Sequence, residues 1–367
     1  MSKPLTALGL MSGTSLDGID VALVRSDGET LVRRGPARTY GYGPDQQALL
    51  KTAIADAVTL SDRSARPGRL AEAERALTDW HVQAVESFCR EAGLTASEID
   101  VIGFHGQTVI HRPELRLTVQ LGDGHMLARR IGCRVAFDMR AADVAAGGQG
   151  APLVPVYHGA LAASLPERPV AFLNIGGVAN VTWIGADGGL LAFDTGPGNA
   201  LLNDWCLKRI GKPYDEDGRL AASGRVDRAA LAQLLGHGYF EDRPPKSLDR
   251  NSFAGLSLDH LSDSDGAATL LEFTRASVLQ ARDWFPEEPR LWVVCGGGRR
   301  NLALMDGFPG RGTLFRTAEE AGFDGDSMEA EAWAYLAVRA LKGLPLTFPG
   351  TTGIDEPLTG GLLAEPQ

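Results

Sequence analysis

Residues 5–25, LTALGLMSGTSLDGIDVALVR, and residues 170–184, VAFLNIGGVANVTWI, follow one plan. Each is an apolar run, a turn of small residues, and a second apolar run. The spacing predicts strands over Leu5–Met11 and Ile19–Arg25, and again over Val170–Ile175 and Val178–Ile184. A further turn follows each pair, Ser26-Asp27-Gly28-Glu29 and Asp187-Gly188-Gly189, and each leads into a third apolar run at Thr30–Arg34 and Leu190–Phe193. Strand, Gly turn, strand, turn, strand therefore occurs twice, about 165 residues apart, without obvious identity between the copies. Two related α/β lobes are the simplest reading of such a repeat.

Between and after the repeats, helices are expected over Asp45–Val58, Arg69–Cys89, Asn199–Arg209, Ala267–Phe285 and Glu329–Leu341. In the second, Leu70, Ala73, Leu77, Trp80, Ala84 and Phe88 recur at helical spacing, and Gly93 is a natural stop. Short apolar runs at Val101–Phe104, Leu117–Leu121 and Leu291–Cys295 read as strands. Arg140–Gly150 (RAADVAAGGQG) reads as a lobe connection and hinge. The expected division is a first lobe over 1–140 and a second over 141–367.

Composition narrows the function. The chain has 367 residues, 36 Lys+Arg against 46 Asp+Glu, and a formal charge of -10. A surplus of acid argues against a protein that wraps nucleic acid, which needs clustered cations. No window approaches 18 consecutive apolar residues, so no membrane span is expected. The opening residues lack the apolar core and cleavage site of a signal peptide, so the cytoplasm is the expected location. Cys89, Cys133, Cys206 and Cys295 are far apart, which argues against a disulfide framework or a Cys-based zinc site. Neither G-x-x-x-x-G-K-[ST] nor G-x-G-x-x-G nor G-x-S-x-G occurs. His105 and His111 stand outside any H-E-x-x-H pattern.

What remains is a set of glycine turns at strand ends. In 12–18, small and hydroxyl residues let backbone N–H groups approach an anion, Thr14 and Ser15 could donate hydroxyls, and Asp17 or Asp20 could hold Mg²⁺. An ordinary hairpin needs the same residues. Gly176-Gly177 has this character too, with a bulge as its ordinary explanation. Gly296-Gly297-Gly298 after a buried strand would let a base or ribose rest on bare backbone, or make a tight corner. Three such turns in one chain favour a nucleotide held between the lobes. Asp194, in FDTGPGN, projects from a strand end before a turn and a helix. That position suits a general base, and equally an Asx turn or helix cap. Glu329 opens a helix among other acids, where it would complement the helix dipole.

LGLMSGTSLDGIDVAL (8–23), GFHGQTVIHRP (103–113), DVAAGGQGAPLVPVYH (143–158), LNIGGVANV (173–181), FDTGPGNALLNDW (193–205) and VCGGGRRN (294–301) together resemble the anhydro-N-acetylmuramic acid kinases, in the right order and over nearly the whole chain. The resemblance implies an α/β, two-lobed sugar kinase/heat-shock/actin-type (ribonuclease H-like) fold, with duplicated mixed β-sheet lobes and an interlobe cleft. It implies ATP and Mg²⁺, and a reaction in which water opens a 1,6-anhydro ring while the γ-phosphoryl group passes to O6. It assigns Gly13, Thr14, Ser15, Leu16, Asp17, Gly18, Ile19 and Asp20 to the first phosphate loop, with Asp17 as metal ligand. Gly176 and Gly177 become the second loop, and Gly296, Gly297 and Gly298 the adenosine-side turn. Asp194 becomes the catalytic base, and His105, Gln107, Gln149 and Glu329 become substrate contacts. No nucleic acid or membrane partner is implied; a small amino sugar and a homodimer are. Lys246–Phe253 (KSLDRNSF) matches less closely and receives no role. Two other classes fit the same fold, an ATP-driven conformational module and a sugar-responsive regulator. The first needs a partner-binding domain and the second a helix-turn-helix, and neither is visible in the sequence.

Overall fold

A computed structural model describes residues 3–13, 15–248, 252–253 and 257–366. Thr14 and, within 246–253, Asp249, Arg250 and Asn251 lie outside the described residues. The chain divides into two compact units, one of Met1–Ser164 with Ser327–Gln367, the other Leu165–Asp326.

In the first unit the strands are β1 (Leu5–Met11), β2 (Gly18–Ser26), β3 (Val32–Gly41), β4 (Val101–Phe104), β5 (Gln107–Arg112), β6 (Leu117–Leu121) and β7 (Val135–Phe137). The helices are α1 (Pro44–Asp56), α2 (Leu70–Ala92), α3 (Gly124–Ile131), α4 (Ala141–Ala145) and α5 (Pro155–Ala162). The second unit holds β8 (Val170–Ile175), β9 (Val178–Ile184), β10 (Leu190–Pro197), α6 (Ala200–Ile210), α7 (Arg219–Ala222), α8 (Arg228–Leu235), α9 (Asp263–Gln280), β11 (Leu291–Cys295), α10 (Leu302–Asp306) and β12 (Phe315–Thr317). The chain then returns to the first unit with α11 (Met328–Leu341), α12 (Pro349–Thr352) and β13 (Leu362–Ala364).

The main sheet of the first unit runs β13-β7-β4-β1-β2-β3 and that of the second β10-β9-β8-β11-β12. Each unit's first three long strands form an antiparallel meander. Two more strands then join the first strand's other side in parallel. The strand repeat in the sequence is thus a repeat of topology. It is a duplicated mixed-sheet α/β architecture, one sheet to each unit. β5 and β6 form a separate hairpin.

The observed division departs from 1–140 and 141–367. The reason is α11. Its backbone rides on two strand glycines: a Cβ built on Gly9 of β1 would stand 1.8 Å from the Ala330 carbonyl oxygen, and one on Gly103 of β4 would stand 2.0 Å from that of Trp333. Almost every α11 residue from Met328 to Arg339 is buried, Glu329 excepted. The stretch expected to be a hinge is fixed inside the first unit. Buried Asp143 accepts from the Gly150 N–H and from the Thr352 hydroxyl, both at 2.6 Å. The chain crosses between units instead at 164/165 and 326/327.

Candidate functional site

In open α/β sheets, ligands gather beyond the carboxyl ends of the parallel strands. In the first unit those ends are Met11, Phe104 and Phe137, and the turn 12–17 leaves from the first. Ser12 is its anchor. Fully buried, it donates to Gln107 Oε1 at 2.9 Å and lies 3.0 Å from the Tyr42 hydroxyl. Leu16 closes the turn with φ 56° and an N–H bond to the Gly13 carbonyl. Ser15 Oγ donates to Asp17 Oδ1 at 2.9 Å, and Thr39 Oγ1 donates to Asp20 Oδ1 at 2.5 Å.

His105 and Gln107, expected to touch substrate, are both held by protein partners behind the turn. Gln107 has no exposed surface, and its amide oxygen is taken by Ser12. His105 is buried with both ring nitrogens engaged, Nδ1 on the Ser12 carbonyl at 3.0 Å and Nε2 on Arg140 Nη2 at 3.2 Å. A carbonyl only accepts and a guanidinium only donates, so the ring carries its proton on Nδ1 and is neutral. Burial, with Arg140 adding, pushes its pKa down to about 3. These two residues shape the turn from behind. Arg140, which the sequence reading passed over, links them forward. It donates to the Gly150 carbonyl, stacks 5.3 Å from the Trp333 ring centroid, and is the cation that opposes the raised pKa of Glu329.

Glu329 stands in the first turn of α11, reachable by solvent yet enclosed by protein. That enclosure raises its pKa; Arg140 pulls it down, and Asp20 and Asp17 push it up. Gln149 is half-buried, with its backbone held by Thr352 O and His111 Nε2. A cavity of about 90 Å³ opens beside His105, walled by Phe104, Phe137, Arg63 and Asp138.

In the second unit, Gly176-Gly177 follows the carboxyl end of β8 and Gly296–Gly298 that of the adjacent β11. The structure brings these two loops together. The N–H of Asn199 bonds the Gly176 carbonyl at 2.7 Å, and Asn199 Nδ2 bonds that of Ile175 at 3.1 Å. The glycines divide by need. Gly18, Gly296 and Gly298 serve the fold, because a Cβ there would stand within 2.5 Å of protein atoms. Gly13, Gly176, Gly177 and Gly297 have no left-handed φ, and a Cβ on them would meet nothing closer than 3.5 Å. The fold would accept a side chain at these four; bare backbone there suits close approach of a phosphate or ribose.

Asp194 lies inside β10, not after it. The strand continues to Pro197 through a bulge between Asp194 and Gly196, which leaves Thr195 as the extra residue. The bulge re-aims Asp194 at the sheet's open edge. Its N–H bonds the Lys246 carbonyl at 3.0 Å, its carbonyl accepts the Tyr239 hydroxyl at 2.5 Å, and Oδ2 accepts the Leu248 N–H at 2.7 Å. Burial raises its pKa to about 6, with the Leu248 bond working against it. That value suits a base near neutral pH. Neither Tyr239 nor Leu248 is marked in the sequence, because one reaches the Asp194 main chain from 45 residues away and the other contributes only its backbone N–H.

Among the described residues no three His, Cys, Asp or Glu side chains cluster to hold an ion. Mg²⁺ on a nucleotide takes most ligands from phosphate and water and one or two from carboxylates, so exposed Asp17 fits that need.

Residues 5–365 match the family described as anhydro-N-acetylmuramic acid kinase. A relative of that name from Methylobacterium nodulans is 55% identical over 99% of this chain and all of its own length. One from Rhodospirillum rubrum is 54% identical over 97% of this chain and 93% of its own. Among solved structures, the activator of the 2-hydroxyisocaproyl-CoA dehydratase from Clostridium difficile, with bound ADPNP, aligns at TM-score 0.43 and 13% identity over 92% of this chain and 96% of that one. A glucokinase of the ROK family from Streptomyces griseus aligns at TM-score 0.37 and 13% identity, over 90% and 99%. The match along nearly the full length, at such identity, shows that the chain belongs to the anhydro-N-acetylmuramic acid kinase family.

Proposed function

We propose that this kinase opens the 1,6-anhydro ring of anhydro-N-acetylmuramic acid with water and passes the γ-phosphoryl group of ATP to O6. The products are N-acetylmuramic acid 6-phosphate and ADP, and the step serves recycling of cell-wall peptidoglycan. The observation that carries the mechanism is Asp194, a strand-borne carboxylate whose pKa burial raises to about 6. With Oδ2 held by Leu248, Oδ1 takes a proton from the attacking water. Attack at the anomeric carbon breaks its bond to O6, and the developing charge on O6 is removed as the γ-phosphoryl group arrives. One base thus serves both halves of the reaction, as in an inverting glycosidase with phosphoryl transfer in place of the acid.

By the family resemblance, Gly13–Asp20 and Gly176-Gly177 are the phosphate loops and Gly296–Gly298 the adenosine-side turn. A bound Mg²⁺ supplies charge neutralisation to the phosphates, and Asp17 is the residue that would hold it. Glu329 and Gln149 face the sugar. The enzyme works in the cytoplasm and, as the family resemblance implies, as a homodimer. The test is ADP release on adding the anhydro-sugar to enzyme, ATP and Mg²⁺, with the phosphorylated sugar identified by mass. ATP turnover indifferent to the sugar would favour an ATP-driven conformational module instead.

A further inference from the structure

Asp194, Tyr239 and Lys246 close a ring of three hydrogen bonds. The Asp194 N–H donates to the Lys246 carbonyl at 3.0 Å. Lys246 Nζ donates to the Tyr239 carbonyl at 2.8 Å. The Tyr239 hydroxyl donates to the Asp194 carbonyl at 2.5 Å. β10 is the edge strand of its sheet, so at a bulge its outward N–H and carbonyl would otherwise meet only water. The ring takes up both. Its members are themselves held. Tyr239 is buried among Phe240, Phe253 and Phe273. The Lys246 ammonium lies 4.4 Å from the Tyr239 ring centroid and 5.5 Å from that of Trp284. A lysine placed over two aromatic rings, donating inward to a carbonyl, is a fastening rather than a solvated surface charge.

We propose that Tyr239 and Lys246 are positioning residues for the base. They act through the main chain of Asp194 and through residue 248, and so set which carboxylate oxygen meets the water and hold the pKa down against burial. This gives Lys246 and Leu248 of KSLDRNSF a role that the sequence did not show. The chain of effect is short. The ring fixes Lys246; two residues on, Leu248 presents its N–H to Oδ2; that bond lowers the pKa of Asp194 and turns Oδ1 outward. Tyr239→Phe keeps the aromatic volume, and with it the burial of Asp194, but drops one bond of the ring. Lys246→Met keeps an apolar stem and drops another. In either variant the Leu248 bond loosens while burial stays, so the pKa of the base rises.

The proposal rests on Asp194 being the base, so Asp194→Asn is assayed alongside. For Tyr239→Phe and Lys246→Met we expect kcat to fall roughly tenfold or more and KM for the sugar to change less than about threefold, because a misplaced base weakens the transition state more than ground-state binding. The acid limb of kcat/KM moves up by about half a pH unit or more, so the loss is greater at pH 6 than at pH 8. Lys246→Arg keeps a donor over the rings and regains most of the rate. With Asp194→Asn inactive, an acid limb left in place in both variants overturns the ring's role, whether or not kcat falls. Near-normal turnover by Asp194→Asn overturns the base assignment and the ring with it. If Tyr239→Phe does not fold, Lys246→Met and its arginine counterpart decide the matter.

Discussion

Asp194 is a weaker acid in the folded chain than in water, because burial disfavours its anion. Two consequences have opposite signs. The free enzyme needs the anion, so kcat/KM should fall as pH drops through about 6, the value burial sets. Stability runs the other way. A carboxyl with a raised folded pKa binds its proton more tightly when folded, so the fold is favoured at low pH and loses stability as pH rises through about 6. Asp194→Asn removes that penalty. Its kcat should drop by ~10²–10⁴-fold with ATP binding intact. At pH 8 the same variant should be more stable than the parent by on the order of 1 kcal/mol, a figure reduced because the group is only half-buried, and the gain should vanish near pH 4. Melting curves at the two pH values check this. Gly177 gives a second residue-scale expectation. Its missing Cβ has room, 3.7 Å from the Ala200 Cβ, so Gly177→Val should keep the melting temperature. Its KM for ATP should rise roughly tenfold or more, the cost of losing one hydrogen bond to a charged phosphate. Gly18→Ala should do the reverse, losing stability against the Tyr40 carbonyl 2.5 Å away.

Elements were legible where apolar runs were clean. β1, β4, β6, β8, β9 and β11 stand at the residues their patterns gave. β3 was expected at Thr30–Arg34 and lies at Val32–Gly41, because VRRGPARTYG is an edge strand, largely exposed, with no apolar alternation to mark it. β5 is not among the expected strands; its run, QTVIHR, is short and mixes polar with apolar residues. β10 is expected to stop at Phe193 because Gly and Pro follow, but Gly196 and Pro197 stay paired in the strand beyond the bulge at Thr195. The carboxylate and the glycine turns could be found from residue types alone. The work of Ser12, Arg140 and Tyr239 could not, since each acts across tens of residues of sequence. α11 shows the same limit. Nothing in its pattern says that it covers Gly9 and Gly103. Gly9→Ala should force that helix from the sheet, since the added methyl would overlap the Ala330 carbonyl. A loss of about 3 kcal/mol is expected, read from the urea midpoint.

At the scale of the whole molecule, the division into Met1–Ser164 with Ser327–Gln367, and Leu165–Asp326, makes one unit continuous in sequence and the other not. The continuous unit has its own sheet and apolar core. Expressed alone, residues 165–326 should melt cooperatively, whereas 1–164 alone should not, because its sheet lacks α11. Calorimetry of the two fragments checks both halves of the expectation.

That discontinuity also orders events at the ribosome. The chain emerges from its N-terminus, so β1 to β7 are made first and the inner unit is finished next, while the helix that covers Gly9 and Gly103 is still unmade. At about 5–20 residues per second, the wait from Ser164 to the last residue is roughly 10–40 s. Throughout it the first sheet carries an uncovered apolar face, so the newborn chain passes through a stage in which the part made first is the part completed last. Chaperone dependence during synthesis should therefore trace to residues 1–164, and a nascent chain arrested shortly after Asp326 should already resist protease over 165–326 while its leading segment is still cut.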